Sequence, residues 1–370
     1  MDSNKIIHFV WGGNTGSTKL VLDLVATQNQ NGNFNVLLVL RGNPANNQPL
    51  VDELKSRGIR FQFVPKKPKY SMIFKLIKII KEFKPEIVVA HGYREHIYGR
   101  IAAIIAKTPL IFQVEHNTDK YTFKLYLMSR LLTRFTDKII CVSTAVKEHL
   151  IKEGFDSNKL VVIHNGIDLK KYLPDNDNNY SQRKREIIMV ARFAPQKDHY
   201  ALIQAAKILK EQNQPIAINF VGDGETKERY QTLCKELQLE DYVRFWGQRT
   251  DVPNLLAQHQ IFALITHYEG FGLVVAEAMA AGCLVIASNV PAIAELIKDR
   301  ETGFLVQPSD ANGLANIIAE IINNQDLAQK IALQGQKFAL ANFGLPTMVE
   351  KYEKLFIEEY NAKINTANKL

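Results

Sequence analysis

The stretch Ile261 to Ser288, IFALITHYEGFGLVVAEAMAAGCLVIAS, decides how the rest of the chain is read. A buried strand is expected over Ile261 to Thr266. A loop holding Glu269-Gly270-Phe271-Gly272 follows, then a helix from about Leu273 to Ala281, a stop at Gly282 and a second buried strand. This is a βαβ unit with an acidic, glycine-rich turn at the carboxyl end of its first strand. Ligands of open α/β sheets sit at that edge, where a helix N-terminus offers N–H groups and partial positive charge to a phosphate. Glu277 follows Glu269 with seven residues between them. About five helical residues at roughly 1.5 Å each carry the second carboxylate roughly 8 Å along the axis from the phosphate-facing turn. Two carboxylates flanking an anion site suit hydroxyl-rich groups at both ends of a diphosphate.

Upstream, Glu186 to Ala191 reads as a strand running into Arg192-Phe193-Ala194-Pro195-Gln196-Lys197. Two cations five residues apart across a proline turn can grip a diphosphate, the arginine through its planar fork and the lysine as a point charge. Ile216 to Gly224 is a strand entering a turn at Gly222-Asp223-Gly224, and Tyr242 to Thr250 is a strand and turn carrying Gln248 and Arg249. Thr302 to Pro308 and the helices after Asp310 complete this part of the chain.

The first half alternates in the same way. Strands are expected at Lys5 to Val10, Asn35 to Leu40, Arg60 to Val64, Pro85 to His91, Leu110 to His116, Ile139 to Ser143 and Leu160 to His164. Such alternation with helices argues for a parallel, doubly wound sheet. WGGNTGS after the first strand is a glycine-rich approach to a helix expected from about Thr18 to Gln28. The helix Ser71 to Phe83 shows Ile73, Leu76, Ile77, Ile80 and Phe83 on one face, the pattern of a surface helix packed on a sheet. His116 and His91 end strands and so are favoured over the other histidines as site residues. Around 120–138, Lys120, Lys124, Arg130 and Arg134 share one helical sector beside Phe123, Leu127 and Leu131. This face suits either an anionic lipid surface or the solvated side of a packed helix. The turn Asn165-Gly166-Ile167-Asp168 precedes a polar, aperiodic segment read as a linker. Asp175 and Asp177 in it resemble a metal motif but lack the rigid scaffold that a metal site needs.

At 370 residues the chain is too long for one ordinary core, so two domains are expected. Its 46% hydrophobic and 23% charged residues describe a globular protein without a transmembrane helix. MDSNK leads directly into a strand with no apolar leader, so a cytoplasmic location is expected, with peripheral contact to the inner face of the plasma membrane as an option. Cys141, Cys234 and Cys283 fall in buried elements and read as reduced structural thiols. The charge is uneven: residues 1–170 hold 25 Lys and Arg against 14 Asp and Glu, a net of +11, and residues 171–370 hold 21 against 24, a net of −3. A cationic front half meets something anionic, an anionic membrane surface being preferred to nucleic acid because no nucleic-acid motif accompanies it.

Glu269-x7-Glu277 after a buried strand, in its FGLVVAEAMAAG context and together with Arg192-x4-Lys197, resembles the family 4 retaining glycosyltransferases. The resemblance implies the GT-B fold: two Rossmann-like, doubly wound parallel-sheet domains facing a cleft. Residues 1–168 would form the acceptor-binding domain, 169–185 the linker, 186–347 the nucleotide-sugar-binding domain, and 348–370 a helix packing back on the first domain. It further implies transfer of a sugar from a nucleotide sugar, UDP-linked ahead of GDP-linked, to a hydroxyl, with retention and without a metal or other cofactor. Glu269, His116, Arg192 and Lys197 are the implied catalytic residues. Gly16, Gly222, Gln248, Arg249, Gly270, Phe271, Gly272, Leu273 and Glu277 join Arg192, Lys197 and Glu269 around the donor. The chain departs from the family pattern at three places. Thr15-Gly16 stands for a Gly-Gly pair, Leu264 to Tyr268 lacks the usual Pro-Ser, and Asn289 to Ala292 lacks a second Gly-Gly. The preferred acceptor is a lipid-linked glycan in bacterial lipopolysaccharide or capsule synthesis. A nucleotide-sugar epimerase or hydrolase and a non-catalytic partner subunit remain the other readings.

Overall fold

The computed structural model of the protein describes residues 4–13, 15–92, 94–118, 122–173 and 180–367. The chain divides into two compact units, Met1–Gly166 with Leu345–Leu370, and Ile167–Gly344.

The first unit alternates β1 (Asn4–Trp11), α1 (Gly16–Asn31), β2 (Phe34–Arg41), α2 (Gln48–Ser56), β3 (Phe61–Val64), α3 (Lys69–Phe83) and β4 (Ile87–His91). It continues with α4 (Glu95–Ile105), β5 (Leu110–Glu115), α5 (Phe123–Thr133), β6 (Lys138–Cys141), α6 (Thr144–Lys152) and β7 (Leu160–Val162). The described strands form one parallel sheet in the order β3-β2-β1-β4-β5-β6-β7, so the winding reverses between β1 and β4. Near-continuous runs such as Ile87-Val88-Val89-Ala90 are what a parallel strand covered on both faces requires.

The second unit runs β8 (Lys184–Val190), α7 (His199–Glu211), β9 (Ile218–Val221), α8 (Lys227–Glu236), β10 (Val243–Phe245), α9 (Val252–Gln258) and β11 (His259–Leu264). Then come α10 (Leu273–Ala280), β12 (Leu284–Ser288), α11 (Pro291–Ala294), β13 (Phe304–Val306), α12 (Ala311–Asn323) and α13 (Gln325–Asn342). Its parallel order β10-β9-β8-β11-β12-β13 reverses between β8 and β11. The opening stretch is thus a βαβ unit as expected, though β11 starts two residues early, at His259. That residue is buried and its Nδ1 bonds the Leu255 carbonyl at 2.7 Å.

The last helix, α14 (Leu345–Ala367), belongs to the first unit. Phe356 packs on Phe112 at 4.8 Å between ring centres and edge-on to Phe34 at 6.4 Å, while Glu353 accepts from the Asn33 amide at 2.8 Å. The helix starts at Leu345 rather than Met348, with Pro346 early in its first turn, where its missing N–H is harmless. Tyr180 and Arg183, in the segment read as linker, are buried within the second unit, and Arg183 donates to the Ala281 carbonyl at 2.8 Å. Asp175 and Asp177 lie outside the described residues, as does Lys120. In α3 the packed face differs from the expected one: Met72, Leu76, Ile79, Ile80 and Phe83 are buried, and Ile73 and Ile77 only partly so. The helix is apolar around more than half its circumference, and the sheet selects the row that reaches Val88 and Ile111.

Candidate active site

In the second unit the reversal of winding falls between β8 and β11, the crevice where open α/β sheets bind ligands. Arg192 to Lys197 leave the end of β8 in a tight turn, with Ala194 N–H donating to the Arg192 carbonyl at 2.9 Å and Lys197 N–H to the Ala194 carbonyl at 2.9 Å. The loop after β11 runs alongside. Lys197 and Thr266 form an antiparallel bridge, Asp198 N–H bonds the Ile265 carbonyl at 2.9 Å, and His267 N–H bonds the Gln196 carbonyl at 2.9 Å. The Thr266 hydroxyl donates to the carbonyls of Gln196 at 3.0 Å and Tyr268 at 3.1 Å. These bonds perform the fixing role that a proline would give this turn.

The stitching carries Lys197 to Glu269, and its ammonium donates to the Glu269 carboxylate, each side chain being only 13% exposed. Arg192 is exposed, and its guanidinium makes no ion pair with a described residue. Behind them, His199 lies flat on Phe193 with ring centres 4.1 Å apart and planes 15° apart. Its backbone N–H and its Nδ1 both reach the Lys197 carbonyl, at 2.9 and 3.1 Å. Nδ1 therefore carries the proton, and burial lowers the ring's pKa to about 4. Asp198 caps α7 through the Ala201 N–H at 3.0 Å and accepts from the Ser309 hydroxyl at 2.9 Å. His199 and Asp198 escape sequence reading because only the folded helix shows that they hold the lysine's backbone.

Gly270, Phe271 and Gly272 are buried. Gly272 caps α10 with φ 90°, and a Cβ there would stand 2.5 Å from Ile293 Cδ1, so glycine is required for angle and for space. It has no side chain to cap the helix, and Val275 N–H instead bonds the Gly272 carbonyl at 2.9 Å. Leu273 and Glu277, on α10, are half-buried. The turn at Gly222 lies against the end of β8: its φ is 145°, and a Cβ would meet the Ala191 carbonyl oxygen at 2.0 Å. Gly222 N–H bonds the Gly247 carbonyl at 2.8 Å, and Phe193 N–H bonds the Asp223 carbonyl at 3.0 Å, so three consecutive turns share one edge. At the end of β10, Gln248 is exposed, whereas Arg249 spends its fork on Asp251, at 2.9 and 2.7 Å.

The first unit's predicted residues stand at its own carboxyl edge. Gly16 opens α1, capped by the Thr15 hydroxyl, which accepts from Thr18 N–H at 3.3 Å. His116 follows β5 and stacks on His91 at 5.7 Å, and His91 Nε2 lies 2.9 Å from His8 Nδ1. His8 Nε2 reaches the Gln28 side-chain oxygen at 2.9 Å, and because that oxygen only accepts, His8 donates from Nε2 and accepts from His91 at Nδ1. Burial lowers His8 and His116 to about 4. His91 falls well below the usual range, by burial first and then by the neighbouring His8 and His116. His8 was missed as a site residue because IIHFV gives no sign of what its ring meets. The three cysteines are free and buried, and burial pushes each thiol up to about 12.

A model of the group 1 glycosyl transferases matches residues 175–338, and a model of glycosyltransferase family 4 matches residues 14–171. The chain is 30% identical over 342 residues to the UDP-Gal:alpha-D-GlcNAc-diphosphoundecaprenol alpha-1,3-galactosyltransferase of Escherichia coli, covering 84% of this chain and 86% of that one. It is 26% identical over 313 residues to the capsular polysaccharide biosynthesis glycosyltransferase CapM of Staphylococcus aureus, covering 77% and 80%. The crystal structure of Anabaena Alr3699/HepE in complex with UDP-glucose superposes with a TM-score of 0.85 at 23% identity, over 96% of this chain and 99% of that one. Two parallel-sheet α/β units, matched over most of the chain by these family models and relatives, define a glycosyltransferase of the GT-B fold. The chain belongs to the family 4 glycosyltransferases.

Proposed function

We propose that the protein transfers a sugar, with retention and without a metal, from a UDP-sugar to a hydroxyl of a lipid-diphosphate-linked saccharide in bacterial surface polysaccharide synthesis. The observation that carries this reading is the Lys197–Glu269 pair at the β8/β11 switch, with Arg192 unpaired beside it in sequence. Lys197 and Arg192 neutralise the departing diphosphate, and the N-terminus of α10 adds its N–H groups. Glu269 takes sugar hydroxyls, Glu277 the ribose, and the turns at Gly222 and at Gln248 and Arg249 the nucleoside. Arg249 must then leave Asp251 or act through its backbone. His116 and Gly16, in the first unit, serve the transferred sugar and the acceptor.

In the reaction the acceptor hydroxyl attacks the anomeric carbon on the face from which the diphosphate leaves. The carbon–oxygen bond to phosphate breaks, and the phosphate oxygen takes the hydroxyl's proton. No protein nucleophile is needed, so the rate comes from held geometry and fixed charge. The diphosphoundecaprenol acceptor of the Escherichia coli relative supports a lipid-linked acceptor, and the capsular role of the Staphylococcus aureus relative supports a part in surface polysaccharide synthesis. The UDP-glucose in the Anabaena structure supports the donor class. A thermal-shift screen of nucleotide sugars tests the proposal. UDP-sugars should raise the unfolding midpoint of the native protein and not of the Arg192→Ala, Lys197→Ala double variant; equal shifts in both would remove these cations from the site.

A further inference from the structure

Helix α5 leaves large apolar side chains outside and buries small polar ones, with Leu125, Met128 and Leu132 half-buried. Its buried residues are Ser129 and Thr133, whereas Phe123, Leu127 and Leu131 are 76, 50 and 59% exposed, and Phe135 just beyond is 56% exposed. At 100° per residue, Phe123, Leu127 and Leu131 fill one sector of roughly 80°, with Ser129 and Thr133 opposite. A globular surface helix has the reverse arrangement.

The polar side is held inward by the fully buried Arg100 of α4. Arg100 donates from Nη2 to the Ser129 hydroxyl at 2.9 Å and from Nη1 to the Thr136 hydroxyl at 3.2 Å. Lys159 ties the far end by donating to the carbonyls of Thr133 at 2.7 Å and Thr136 at 2.8 Å. The orientation is thus fixed by specific bonds, and the apolar sector faces outward as a consequence. A run of four large apolar side chains so presented is the mark of a surface that meets something.

Charge identifies the partner. Lys124 and Arg130 flank the apolar sector and Arg134 lies within it, all three exposed, and residues 122–136 contain no acidic residue. Helix α3, which also packs on α4, repeats the chemistry: Tyr70 and Phe74 are 67 and 69% exposed among six lysines between residues 66 and 81. A second copy would bring the same cations against these, and repulsion disfavours that pairing. Among the described residues no helix is long and apolar enough to cross a membrane, so insertion is confined to the interface.

We infer that the outward face of α5 is a docking surface for an anionic lipid bilayer, with Phe123, Leu127 and Leu131 entering the headgroup boundary and Lys124 and Arg134 meeting lipid phosphates. The inference stands on the helix itself and goes beyond the transfer reaction. Vesicle flotation of the full chain tests it, with phosphatidylcholine alone and with phosphatidylcholine plus phosphatidylglycerol. The native protein should float with the anionic vesicles, less so at high salt, and not with the neutral ones. Phe123→Ser, Leu127→Ser, Leu131→Ser in one chain, and separately Lys124→Glu, Arg134→Glu, should each weaken flotation by more than about tenfold. All five positions are exposed, so the unfolding midpoint and the UDP-sugar thermal shift should stay native; those readouts separate failure of docking from failure of the donor site. Native protein that stays unbound on anionic vesicles, or variants that float as it does, overturn the inference. So does a lipid-free dimer in sedimentation that the triple serine variant converts to monomer.

Discussion

Lys197 and Glu269 form an ion pair in a site where each is largely shielded from water, which fixes both side chains before any ligand arrives. In the proposed mechanism, replacing Lys197 with Ala removes a cation that meets developing phosphate charge. Loss of one such group costs on the order of 10²-fold to 10³-fold in turnover. The fall should appear in kcat of sugar transfer with a native-like circular dichroism spectrum, and retained turnover would move the phosphate elsewhere. The histidines report differently. His8 and His199 are fully buried with pKa values lowered to about 4, from an ordinary 6.5. Between those values the unfolded chain binds a proton that the native ring refuses. Stability therefore falls as pH drops through the window and is unaffected by these rings above it. By about pH 5 the loss is roughly 2 kcal/mol for each ring. Urea unfolding at two pH values should show it in each unit's own transition, and His199→Gln should flatten the slope of the second unit alone. An unchanged slope would mean that His199 is not the buried neutral group described. At this scale, the turns that carry Lys197 and Glu269 were legible, each from its own local motif, whereas the pairing of the two side chains across 72 residues shows only in the fold. His8 and His199 were not legible, because their partners are 20 and 83 residues away in one case and a carbonyl of the adjoining turn in the other.

Among the elements, the turns at the strand ends carry the tightest demands. Gly222 combines a φ of 145° with a carbonyl oxygen 2.0 Å from where a Cβ would be, so Gly222→Ala must push the turn away from Ala191. A loss of about 2–4 kcal/mol is expected, confined to the second unit's transition. A native-like midpoint would show that the turn has room to shift. Strands were legible in the sequence to within a residue or two, because parallel strands covered on both faces are apolar throughout. Helix faces were less so. Too much of α3 is apolar for periodicity to pick the buried row, and α5 hides its polar side because of Arg100, which lies on another helix.

For the whole molecule, two doubly wound parallel-sheet units were readable from the alternation of strands and helices, while the strand orders that put the reversals at β1/β4 and β8/β11 show only in the fold. The chemistry assigned to them makes fixed protein cations the neutralising charge on the leaving diphosphate. Transfer should therefore continue in a chelator at a rate within about twofold of the untreated enzyme, and its abolition with recovery on adding a divalent cation would refute metal independence. The central claim is transfer to an acceptor, and release of UDP from a UDP-sugar measured with and without a diphosphate-linked saccharide tests it most directly. The account predicts release that depends on the acceptor, with the donor's anomeric configuration kept in the product. Equal release without acceptor, or none with it across the UDP-sugars that bind, would contradict it.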